Sequence, residues 1–137
     1  MSRSNYTEDC SGWELIRWRG AVNSAINGKR GQAFLREALA ALDALPEKWL
    51  EESVLVSPTG CCTMGAVAKS RGLDTSNIDP FEREDVANAL GIAEALAAEI
   101  AYENDSNERY WPPRSETPEQ RFVRMRAWLV KHIKSES

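Results

Sequence analysis

Three features of this 137-residue sequence predict a mainly α fold, a single-domain helical bundle that opens with a helical hairpin. Apolar residues recur three and four positions apart, the spacing that lines one face of a helix. Asn27-Gly28, Arg71-Gly72 and Gly91 fall at the ends of those runs, where a left-handed residue can stop a helix. Thr117-Pro118-Glu119-Gln120 supplies the clearest helix start, with an N-cap, a proline in the first turn and the Thr-x-x-Gln capping box.

The first helix is expected from about Ser11 to Asn27, because Leu15, Trp18, Val22 and Ile26 form one stripe. A four-residue turn, Gly28-Lys29-Arg30-Gly31, would then lead into a second helix with Leu35, Ala38, Leu39 and Leu42 along one face, ended by Pro46. Val54-Leu55-Val56 is β-prone and Ser57-Pro58-Thr59-Gly60 reads as a turn. A short β-hairpin near residues 53–64 and an irregular loop both fit that stretch. Helical pattern returns from Met64 to Ser70. Asp79-Pro80 offers a cap and a proline for a helix running through Leu90. Ile92, Leu96 and Ile100 predict another, with Glu99 and Glu103 on a different face. Residues 104–116 read as a polar connector, and the last helix should carry Phe122, Met125, Leu129 and Ile133 to about Lys134.

One domain, 1–137, is the expected organisation, with a polar and flexible segment over 1–10. The chain is 42% hydrophobic and 28% charged, which argues for a packed core and against disorder. A domain of this length buries roughly two-thirds of its unfolded surface and needs no metal or disulfide staple. No apolar run approaches the ~20 residues of a membrane span, and no apolar signal segment opens the sequence. Cys10, Cys61 and Cys62 are odd in number and include an adjacent pair, a poor framework for disulfides or zinc. A cytoplasmic protein with reduced cysteines is the expectation, without membrane or cofactor.

Charge is distributed unevenly. Between Leu15 and Arg36 there are five cations and no acid: Arg17, Arg19, Lys29, Arg30 and Arg36. From Glu82 to Glu108 eight acidic residues face a single Arg83, within a net charge of −4. The glycine-flanked turn could bring two cations and the free N–H groups of a helix start to an anionic partner. Over Ile26 to Leu35 it resembles the Gly-x-x-Gly loop of the KH domain, which clamps a nucleic-acid backbone. KH domains also carry a three-stranded sheet, which this sequence does not show. The other reading is a solvated turn.

Val86 to Ala93 looks like the first helix and turn of a helix-turn-helix, but the helix that would read DNA carries Glu94, Glu99 and Glu103 and no cation. Packing explains that element better than DNA binding. Trp111, inside Tyr110-Trp111-Pro112-Pro113, could anchor a partner or fold back onto the core. His132 is the only histidine, and no catalytic motif surrounds it. A non-enzymatic protein is expected, with partner-binding candidates Arg17, Arg19, Lys29, Arg30, Arg36 and Trp111. The partner is expected to be a protein, with nucleic acid as the alternative; the oligomeric state stays open.

Trp18-Arg19-Gly20-Ala21-Val22, Gly28 to Glu37, Leu45-Pro46-Glu47-Lys48, Gly91-Ile92-Ala93, Tyr102-Glu103-Asn104-Asp105 and Thr117-Pro118-Glu119 together resemble a family of small proteins encoded by phages and prophages of proteobacteria. The family is uncharacterised. The resemblance implies an accessory protein that binds a host or phage macromolecule, such as an inhibitor of a host defence or regulatory system. Its basic surface would meet an acidic patch, or its acidic helix would enter a cationic nucleic-acid channel.

Overall fold

The computed structural model describes Arg3, residues 12–105 and residues 116–135, with the side chains of residues 12–15 left out. Six helices and one two-stranded hairpin make up the described residues, in the order α1 (Gly12–Asn27), α2 (Lys29–Ala44), β1 (Val56–Ser57), β2 (Gly60–Cys61), α3 (Thr63–Arg71), α4 (Arg83–Leu90), α5 (Glu94–Asp105) and α6 (Pro118–His132). The mainly helical class and the short hairpin both match the sequence pattern.

α5 is the central helix. It packs against α1, α3, α4 and α6, while α2 lies across α1, α3 and α6. One core runs through these contacts, from Val22, Ile26, Phe34, Leu35 and Leu42 to Met64, Val67, Leu96, Ile100, Met125 and Leu129. Among the described side chains, the apolar stripes anticipated on α1, α2, α5 and α6 are the faces that fill it, so burial follows the three-four spacing. The hairpin is antiparallel, pairing Val56 with Cys61 and Ser57 with Gly60 around Pro58-Thr59. It is held from outside by the Trp49 indole, which donates to the Thr59 carbonyl at 3.1 Å, and by the Glu51 N–H on the Cys61 carbonyl at 2.8 Å.

Two helix starts differ from the sequence expectation. α2 begins at Lys29, so the predicted four-residue turn collapses to Gly28 alone, and Gly31 lies inside the first helical turn. A Cβ built on Gly31 would sit 1.8 Å from the Ala25 carbonyl oxygen. This glycine lets α2 press against the last turn of α1; it serves packing, not turn geometry. α4 begins at Arg83, not at Pro80. Asp79 instead closes a tight turn, its carboxylate accepting the Phe81 N–H at 2.9 Å and its carbonyl accepting the Glu82 N–H at 3.0 Å. Asp side chains readily favour such local turns over helix entry.

Other signals read as expected. Gly91 ends α4 at φ 74°, ψ 33°, the left-handed conformation that favours glycine. Thr117 and Gln120 make both bonds of the capping box, at 3.1 and 2.9 Å. Arg124 then ties the start of α6 to the end of α5. Its guanidinium bonds both Glu116 oxygens, at 2.6 and 2.9 Å, and the carbonyls of Glu103 and Asn104. The predicted connector therefore begins later than expected, since Asn104 and Asp105 belong to α5. Residues 106–115 lie outside the described set, as do residues 1–10 apart from Arg3.

Candidate partner-binding surface

The fold divides the five-cation run into three different environments. Arg17 and Arg19 sit on α1, ten and eight residues before its end at Asn27. At 1.5 Å per residue they lie about 12–15 Å along the helix from the corner where Lys29 and Arg30 stand. Arg17 is exposed and has no ion-pair partner among the described residues. Arg19 reaches inward and pairs with Glu99 at 2.7 Å, where the carboxylate is almost wholly buried. Arg19 therefore stabilises a buried charge on the central helix; an unpaired carboxylate at that depth would be costly.

Lys29 and Arg30 occupy the first turn of α2. Both are exposed and neither makes an ion pair among the described residues. The first intrahelical bond of α2 runs from the Gln32 N–H to the Gly28 carbonyl at 2.9 Å, so the N–H groups of residues 29–31 precede the hydrogen-bonded ladder. The helix dipole adds positive potential at the same point. Beside them lies a groove of about 180 Å³, with Ser24, Gly28, Lys29 and Arg30 on one side and Ile92, Ala93 and Leu96 on the other. The cations thus border a surface that is partly apolar.

Arg36 is two turns further along α2 and donates to the Lys134 carbonyl at 2.8 Å. That contact brings in a cation the sequence reading missed. Lys134 follows α6, yet its N–H donates to Gln32 Oε1 at 2.8 Å and its ammonium lies 3.5 Å from the Asn27 carbonyl. Buried Gln32 organises the corner, since its Nε2 also donates to the carbonyls of Ile26 at 2.8 Å and His132 at 2.9 Å. One amide thereby fastens the ends of α1 and α6 to the start of α2. A glutamine on the apolar side of an amphipathic helix is the only sequence signal for this arrangement.

The acidic stretch is also reorganised. Glu99 and Glu103, expected on a face apart from the Ile92–Leu96–Ile100 stripe, are nonetheless buried, at 3% and 4% exposed. α5 is enclosed by its neighbours, so it can neither lie in a DNA groove nor enter a cationic channel. Glu94 at its start is exposed and pairs with Arg83 at 2.6 Å. Among the described residues, the remaining surface acids of this region, Glu82, Glu84 and Asp85, gather around the beginning of α4, where the helix dipole favours them. Trp111 lies outside the described residues.

His132 stacks on Trp128 at 4.4 Å between ring centroids, and its Nδ1 lies 2.8 Å from the Trp128 carbonyl. That nitrogen must carry the proton, because a carbonyl can only accept. Cys61 and Cys62 are free and buried, and burial pushes the Cys61 thiol up to about 11, far from a thiolate at neutral pH. Among the described residues no three His, Cys, Asp or Glu side chains converge to hold a metal ion, and no helix is long and apolar enough to cross a membrane. No protein-family model, curated protein or solved structure matches the chain.

Proposed function

We propose that the protein is a non-enzymatic binding module whose Lys29–Arg30 corner engages an acidic surface of a partner protein. The observation that carries this reading is the placement of two exposed cations, unpaired among the described residues, at a helix start beside a partly apolar groove. Ile92, Ala93 and Leu96 give the groove an apolar wall, which suits a protein surface of mixed character better than a bare phosphate backbone. Arg36 and Lys134 extend the positive potential, although hydrogen bonds to carbonyls hold both in place. Free Cys61 and Cys62 suit a reducing compartment, and we place the interaction in the cytoplasm. The resemblance to phage and prophage proteins supports a host or phage macromolecule as the partner, with inhibition of a defence or regulatory system as the role.

The test is charge reversal at both positions. The Lys29→Glu/Arg30→Glu protein should keep its far-UV circular dichroism and lose less than about 0.5 kcal/mol of stability, as exposed substitutions do. Proteins captured by the wild type from bacterial lysate, identified by mass spectrometry and purified, should bind this variant at least about tenfold more weakly, since reversal adds repulsion. Unchanged affinity would refute the assignment. Retention of nucleic acid in place of protein, with binding that falls steeply as salt rises, would transfer the same corner to phosphate recognition.

A further inference from the structure

The most fully enclosed charge in the described structure lies at the opposite extreme from the basic corner. The Arg3 side chain is 0% exposed. Its guanidinium makes a two-pronged bond to Asp105, with Nε 2.7 Å from Oδ2 and Nη2 2.6 Å from Oδ1. Its remaining nitrogen, Nη1, donates to the Val54 carbonyl at 3.1 Å and to Cys62 Sγ at 3.4 Å. These acceptors match the fork of a guanidinium, and an ammonium could satisfy only part of them.

The acceptors are also held in place by bonds in which Arg3 has no part. Asp105 Oδ1 accepts the Ser53 N–H and Asn104 Nδ2, each at 3.0 Å. Asn104 is itself fixed on the Thr63 N–H at 3.0 Å and the Thr63 hydroxyl at 2.8 Å. Cys62 caps α3, its Sγ accepting the Gly65 N–H at 3.3 Å and its own N–H reaching the Leu55 carbonyl at 3.0 Å. Ser53 adopts φ 60° to direct its N–H at Asp105, a backbone conformation a serine enters only at a cost. Asp105 ends α5, where the helix dipole favours a cation. Its side chain keeps 16% of its surface open, so the mouth of the socket reaches solvent.

We propose that this socket is a receptor for the guanidinium of an arginyl peptide, filled in the isolated chain by Arg3 as an internal ligand. Because the receptor is built by α3, α5 and the 53–62 segment, its shape does not depend on which chain delivers the arginine. An arginine from a second copy or from a foreign partner makes the same four contacts once Arg3 withdraws. Release of Arg3 also removes a donor from the Sγ of Cys62, which is buried at 0% exposure.

The test uses the full chain carrying Arg3→Ala as receptor, and Arg3→Lys in its place if the alanine variant does not fold. Three peptides are titrated by calorimetry: residues 1–8 of this chain, the same peptide with citrulline at the arginine position, and Gly-Arg-Gly. The arginine peptide of this chain should bind and raise the melting temperature. The citrulline peptide, which has the shape without the charge, should bind about tenfold or more weakly, because bonds to a charged group are lost. Adding Asp105→Asn to the receptor should abolish binding. Comparable affinity for Gly-Arg-Gly would identify foreign arginyl peptides as ligands, whereas binding of the chain's own peptide alone would identify a second copy as the source. A folded receptor that binds neither arginine peptide, or that binds citrulline equally well, would overturn the proposal.

Discussion

Replacing Gly31 with alanine sets two effects of opposite sign against each other. In an ordinary helix the change would help, because alanine is favoured over glycine by up to about 1 kcal/mol. Here the added Cβ would stand 1.8 Å from the Ala25 carbonyl oxygen, 2.9 Å from the Ala25 carbonyl carbon and 3.3 Å from the Ile26 oxygen. These are backbone atoms of α1, so no flexible side chain can swing aside. The helices must separate, and the Gln32 bonds to Ile26, His132 and Lys134 resist that movement. Overpacking of this kind costs up to about 3 kcal/mol, leaving a net loss near 2 kcal/mol after the helix gain. For a domain of this size that lowers the melting temperature by about 8 °C. Gly20→Ala is the control, since that exposed position on α1 has nothing within 4 Å of the new atom. It should raise stability by about 0.5–1 kcal/mol. Both are read by urea and thermal unfolding followed by circular dichroism. A Gly31→Ala protein as stable as wild type would refute the close-contact argument.

Gly91→Ala should destabilise by about 1–2 kcal/mol in the same assay, although nothing lies within 4 Å, because φ 74° strains any side-chain-bearing residue. An unchanged melting temperature would show that α4 can end in another way. The pH dependence of stability should carry a contribution from Glu37, whose carboxyl is held below its ordinary value of 4.5 by hydrogen bonds from Arg71 at 2.7 and 2.6 Å. With the folded value lowered, this stabilisation is complete above the unfolded value and is lost as pH falls through the folded one. Glu37→Gln should therefore lose less stability than wild type between about pH 5 and pH 3, by under about 1 kcal/mol for so exposed a pair. Parallel melting curves for the two proteins across that range would contradict the pairing.

Local chemistry was readable from the sequence wherever the deciding partners are near neighbours. The Thr117–Gln120 box, the stop at Gly91 and the turn at Pro58-Thr59 each depend on residues a few positions apart, and their types dictate the geometry. Gly31 misled because a glycine beside a turn and a glycine under a crossing helix look alike in one dimension. Glu99 and Glu103 fall in the sequence on a face apart from the apolar stripe, and charge normally implies exposure there. What reverses the inference for Glu99 is Arg19, eighty positions earlier. The basic run is spread over several environments for a related reason. Sequence proximity put Arg17 with Lys29, while helix length separated them and tertiary contact added Lys134 in exchange. Arg3 and Asp105, 102 positions apart, left no local trace at all.

Arg124 acts as a clasp between two helices that meet end to start. By gripping Glu116 on one side and the carbonyls of Glu103 and Asn104 on the other, one guanidinium fixes the close of α5 against the entry to α6. The placement of α6 is thereby written into side-chain contacts of its own second turn. Substitution of Arg124 would leave a carboxylate and two carbonyls without the donor they share.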